Sequence, residues 1–208
     1  MLLILTALVV LALLVINEFW WRWRTVHGEM SRKFIHISVG CFVATWPFFL
    51  SWRQIQFLSI AFLIIVCLSK YFKLFQAIHS VQRPTWGEIF FAASVGLITL
   101  ITQDKWIYAA ALLQMALADG LAAIIGVQFG NRRRYQVTGH PKTVIGTLTF
   151  FAVSFAILLA YSRLSGTDLP VNSMVMIGIL ASLIENLATR GLDNLLVPVL
   201  VALLLANY

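Results

Sequence analysis

Three carboxylates and two lysines stand in sequence that is otherwise apolar. Asp119 falls in ADGLAAIIGVQFG, Glu185 and Asp193 in ENLATRGLDNLLVP, Lys142 in GHPKTVIGT and Lys33 in RKFIHI. A carboxylate at the centre of a membrane helix costs about 2.5–3.5 kcal/mol on insertion scales, so such a residue is a functional candidate by default. Helical spacing of three and four puts Asp119, Ala122, Ala123, Gly126 and Gly130 on one face. The carboxylate then heads a strip almost without side chains, where a flat ligand can approach closely. The same strip also reads as a small-residue packing seam with Asp119 paired to a lysine.

Pro141, Lys142 and Thr143 precede the apolar run from Val144, the pattern of a helix N-terminus with proline in an early position. Free N–H groups, the positive end of the helix dipole, Lys142, the Thr143 hydroxyl and the space at Gly146 together make a phosphate site. It is not a Walker A loop, because the GxxxxGK[ST] spacing is absent. Gly191 reads as a helix C-cap, and Asp193 and Asn194 read equally as N-cap residues and as site residues. Glu185 is harder to dismiss, because it lies inside an apolar run. With Asp119 and Asp193 it gives three hard oxygen ligands, a set that suits Mg²⁺ bridged to substrate phosphates. Arg32 and Lys33 precede His36 by four and three residues, so RKFIH puts three cationic or donor groups on one helix face. His36 reads equally as structural, Glu88 in TWGEIFF as a buried partner, and His27, His79 and His140 show no ligand spacing.

These residues must be positioned by a chain of 208 residues that is 61% apolar and 11% charged, with a net charge of +7. A soluble domain of this length needs far more polar surface. The composition therefore predicts a single integral membrane domain over residues 1–208. In such a protein the positive charge reports topology and not nucleic-acid binding. Cys41 and Cys67 sit singly in apolar runs and read as packing residues. The N-terminal run has no basic segment before it and no small-residue cleavage site after it, so it reads as a retained first helix. Trp20, Trp21 and Trp23 fit an interfacial aromatic belt.

Eight apolar runs, at about 2–21, 34–51, 54–69, 86–102, 106–129, 144–162, 171–187 and 192–207, predict an all-α polytopic bundle of about eight spans. Its odd connections hold twelve basic residues: Arg22, Arg24, Arg32, Lys33, Lys70, Lys73, Arg83, Arg132, Arg133, Arg134, Lys142 and Arg190. The even ones hold only Arg53, Lys105 and Arg163. The positive-inside rule then puts both termini on the non-cytoplasmic side and the polar cluster at the cytoplasmic face.

RKFIHI, ADGLAAIIGVQFG, PKTVIGT and ENLATRGLDNLLVP, in this order, resemble the CTP-dependent lipid-alcohol kinases, the polyprenol/dolichol kinase and phytol kinase family. The resemblance covers roughly residues 29–200. It implies a membrane enzyme that transfers the γ-phosphoryl group of CTP, taken from the cytoplasm, to the hydroxyl of an isoprenoid alcohol in the bilayer, with Mg²⁺ (or Mn²⁺), releasing CDP. On this reading Asp119 and Asp193 hold the metal, with Asn194 as an auxiliary ligand. Lys142, Thr143 and the helix beginning there hold phosphate oxygens, and Glu185 takes the hydroxyl proton or completes the metal site. Arg32, Lys33 and His36 balance charge on the leaving nucleotide, and the strip at Gly126 and Gly130 makes room for the ligand. Which alcohol is used (phytol, geranylgeraniol, polyprenol, dolichol or diacylglycerol), whether the donor is CTP or another nucleotide, and the oligomeric state stay open. Phosphatidate cytidylyltransferases are similar, but Ile145 stands where they carry an acidic residue, and GLDNLLVP replaces a longer polar signature. A small transporter with carboxylates on an ion path is the third reading; against it, the outer half lacks comparable polar groups and no inverted repeat is visible.

Overall fold

The computed structural model describes residues 1–23, 29–72, 86–130, 133–137 and 140–208; for residues 20–23, 29, 31, 32, 70 and 140 only the backbone is described. Arg24, His27, Lys73, His79, Arg83 and Arg132 lie outside the described residues.

Among the described residues the chain forms eight helices: α1 (Leu2–Trp23), α2 (Glu29–Ala44), α3 (Trp52–Phe72), α4 (Gly87–Ile101), α5 (Lys105–Phe129), α6 (Val144–Ser165), α7 (Val171–Leu187) and α8 (Asp193–Leu205). The all-α class fits. Four of these helices, α1, α3, α5 and α6, are long and apolar enough to cross a membrane, while α4, α7 and α8 are shorter apolar helices. Among the described residues the strands form one hairpin, β1 (Arg134–Val137) against β2 (His140–Thr143), antiparallel with Arg134 opposite Thr143 and Val137 opposite His140.

Local chemistry sets the element ends. Asp104 caps α5, its carboxylate accepting from the amides of Trp106 and Ile107 at 2.7 and 3.0 Å. Gly166, with φ of 75°, closes α6 in the left-handed conformation. The second helix departs from the expected 34–51: it starts at Glu29 and ends at Ala44, followed by a 3₁₀ turn over Trp46–Phe48. Pro47 has no amide to bond back to the Val43 carbonyl and its ring crowds that oxygen, so the α-helix cannot run on past this point. His36 consequently sits about two turns into α2.

The α5 helix is the most enclosed of the four long helices and packs against α2, α6 and α8. Its alanines, Ala109 to Ala111, Ala116, Ala118 and Ala122, let neighbours come close. A Cβ on Gly40 of α2 would lie 2.5 Å from the Ala116 Cβ. Lys33, His36, Ile37 and Gly40 share one face of α2 and meet α5 between Met115 and Gly120. Around this core α1 packs on α2, α3 on α4, α4 on α8, and α7 on α6 and α8.

Candidate active site

Asp119 is 4% exposed and its carboxylate forms a buried ion pair with Lys33, itself 5% exposed. Two charges removed from water are tolerable only when each neutralises the other with good geometry. The His36 Nε2 lies 3.8 Å from the same carboxylate oxygen and hydrogen-bonds the Met115 carbonyl at 3.1 Å. Its ring stands edge-on to Phe91, with centroids 5.5 Å apart. Of the RKFIH group, Lys33 and His36 therefore converge on Asp119, and Arg32 has only its α2 backbone described.

A second pair lies beside the first. Lys142 donates to Glu185 Oε1 at 2.5 Å and to the Glu185 main-chain carbonyl at 3.1 Å. Burial works against the Lys142 charge, but Glu185, then Asp119 and Asp193, outweigh it and hold the ammonium above the ordinary lysine range. All three carboxylates thus act on one ammonium group. Asp193 opens α8 as its first helical residue and is half-buried. Leu192 is the N-cap, so Asp193 and Asn194 are not caps, and Gly191 is not the C-cap of α7, which ends at Leu187 with Ala188.

Several expected residues take structural work instead. Lys142 and Pro141 belong to β2, not to the first turn of a helix. Thr143 is the N-cap of α6, its hydroxyl accepting from the Gly146 amide at 3.1 Å, and the Val144 amide donates to the Arg133 carbonyl at 3.1 Å. Two amides that would face a phosphate are therefore satisfied within the chain, which corrects the picture of an open helix N-terminus. The strip below Asp119 is filled by α6: a Cβ on Gly126 would lie 2.8 Å from Thr143 Oγ1 and 3.4 Å from the Gly146 Cα, and one on Gly130 would meet Thr143 at 2.5 Å. The glycines make room for a helix in the small-residue seam, not for a flat ligand. Asn194, 3% exposed, donates its Nδ2 to the Gly87 carbonyl at 2.9 Å and ties α8 to α4. Glu88 is half-buried one residue further along α4.

Sequence reasoning missed the hairpin's attachment. Tyr135 on β1 donates to Asn186 Oδ1 at 2.6 Å and contacts the Thr147 hydroxyl, which reaches the same oxygen at 3.2 Å. Asn186 Nδ2 returns to the Ser182 carbonyl at 2.9 Å. This network docks β1 onto α6 and α7 beside Glu185, and the alternation in Arg-Tyr-Gln-Val was its one sequence signal.

Among the described residues no three His, Cys, Asp or Glu side chains converge as a self-sufficient metal centre. The donors present fit a different arrangement, in which one or two carboxylates share a hard divalent cation with substrate phosphates. Two lysines, each held by a buried carboxylate with a third half-buried carboxylate nearby, can exchange those carboxylates for the charges of an incoming polyphosphate and leave the carboxylates free for a cation or a proton.

No family model and no solved structure matches the chain. It is 34% identical over 180 residues to the phytol kinase of Synechocystis sp., covering 82% of this chain and 76% of that protein. It is 27% identical over 209 residues to a probable chloroplastic phytol kinase of Triticum aestivum, covering 88% and 69%. By these similarities the chain belongs to the phytol kinase family.

Proposed function

We propose that the protein is an integral membrane kinase that transfers the γ-phosphoryl group of CTP to the hydroxyl of a phytol-type isoprenoid alcohol, giving the alcohol monophosphate and CDP. The observation that carries this reading is the pair of lysine-clamped carboxylates, Lys33–Asp119 and Lys142–Glu185, gathered with Asp193 at one end of an apolar bundle. Kinship to two proteins named as phytol kinases supplies the acceptor class. The excess of basic residues in the odd connections and the helix ends beside them supports an eight-span topology with both termini outside and this end in the cytoplasm. CTP then enters from water and the alcohol from the bilayer.

Phosphoryl transfer asks a protein for positioning and charge neutralisation more than for covalent chemistry. In this reading the triphosphate draws the Lys142 ammonium from Glu185, and the freed carboxylate becomes the base for the alcohol. The hydroxyl oxygen attacks the γ-phosphorus as its proton passes to Glu185. The bond from the γ-phosphorus to the bridging oxygen breaks, and its electron pair leaves with CDP. Lys33 and His36 balance the charge around Asp119. Asp119 and Asp193 would hold Mg²⁺, which supplies neutralisation of the phosphate oxygens.

Purified protein in lipid with phytol and CTP labelled in either the α- or the γ-phosphate tests this. The γ-label should pass to the lipid and CDP should be the leaving product. Pyrophosphate release with α-label in the lipid would mean cytidylyl transfer, and substrate movement without CTP turnover would mean a transporter.

A further inference from the structure

Gln114 is fully buried, and the reaction above does not use it. Its Nε2 donates to the Ser154 main-chain carbonyl on α6 at 3.2 Å. Its Oε1 and the Ser154 hydroxyl have no hydrogen-bond partner among the described residues. A methionine would fill similar volume without stranding polar atoms, so packing alone does not account for the residue. Its place in the helix does. Gln114 opens the π-turn Gln114–Ala118, and the Asp119 amide donates to the Gln114 carbonyl, an i→i−5 bond in place of the usual i→i−4. One residue of an α-helix subtends roughly 100°, so a widened turn of this kind resets the direction of the residues that follow. Asp119 is the first of them. Met115, within the same turn, offers the carbonyl that holds His36 Nε2 at 3.1 Å, and so fixes the imidazole 3.8 Å from the Asp119 carboxylate.

We propose that Gln114 is a positioning residue: by anchoring the π-turn to α6 it sets the rotation of α5 that aims Asp119 at Lys33 and His36. This rests on the role given to Asp119 under Proposed function. Gln114→Met keeps the volume and removes the anchor. Its kcat per folded molecule should fall by about tenfold or more, since misplacing a reacting group by about 1 Å is costly. Its KM for CTP should stay within about twofold, because Lys142 and Glu185 lie on β2 and α7. Ser154→Ala removes the hydroxyl and keeps the carbonyl that accepts the bond, so its kinetics should match wild type. Wild-type kcat in Gln114→Met, or an equal loss in Ser154→Ala, overturns the proposal.

Should Gln114→Met fail to accumulate in membranes, Gln114→Glu decides the matter. The neutral acid donates the same bond, so kcat should fall as pH rises and ionises it, in a limb wild type lacks; a wild-type profile overturns the proposal. Asp119→Asn, assayed alongside, separates the two claims. Full activity there sinks the functional reading, whereas an inactive Asp119→Asn beside a fully active Gln114→Met sinks only the anchor.

Discussion

Replacing Lys33 by methionine removes one half of the Lys33–Asp119 pair while keeping most of the stem volume. Both residues are almost wholly buried, at 5% and 4% exposure, so the discount for solvent screening of surface pairs does not apply. The attraction between unit charges about 4 Å apart is about 4 kcal/mol at an effective dielectric near 20. Removing one partner of a buried pair costs about 3–5 kcal/mol, because the other charge is left uncompensated. His36 Nε2 stays 3.8 Å from the stranded carboxylate oxygen as a polar neighbour, which favours the lower end. Lys33→Met should therefore lose about 3 kcal/mol against unfolding in a detergent titration. Lys33→Met with Asp119→Asn should regain most of that, since neither charge remains, and should still lack kinase activity. A single variant within about 1 kcal/mol of wild type would refute the reasoning, for the pair would then behave as a surface contact.

Other expectations follow from the same geometry. Lys142→Met should raise the KM for CTP by about tenfold or more with little change in insertion, as measured by nucleotide titration. Gly126→Val should push α6 off α5 and cost about 1–3 kcal/mol in the same detergent titration, because even a Cβ there meets Thr143 Oγ1 at 2.8 Å. The Lys142 pKa is raised in the folded state, so its pairing contributes fully below the unfolded value of about 10.5 and is lost as pH rises through the higher folded value. The stability difference between wild type and Lys142→Met should accordingly stay level from neutral pH to about 10 and shrink above it.

Much of the scaffold was legible because it is written in runs of apolar residues. The eight helices fall close to the eight runs, with the largest shift at α2, where Pro47 ends the helix early. The ionisable residues were also legible as candidates, because charge inside apolar sequence is expensive wherever it occurs. Their pairing was not. Lys33 and Asp119 are 86 residues apart, and Lys142 and Glu185 are 43 apart, so only helix packing joins them. The glycines at 126 and 130 carried a correct signal of close approach, but spacing cannot say whether a ligand or a helix approaches. The π-turn was invisible for another reason: five ordinary helix formers, Gln-Met-Ala-Leu-Ala, give no propensity cue to one extra residue in a turn.

Asp119 is the one carboxylate sunk into the most enclosed long helix, and both a lysine and a histidine meet it there. Asp119→Asn keeps its shape and removes its charge. Assayed with CTP and phytol at matched amounts of folded, membrane-inserted protein, it should lose about 10²-fold or more in kcat, the scale of a removed electrostatic group in a phosphoryl-transfer site. A near wild-type rate would contradict the account and leave the Lys33–Asp119 pair as a packing device.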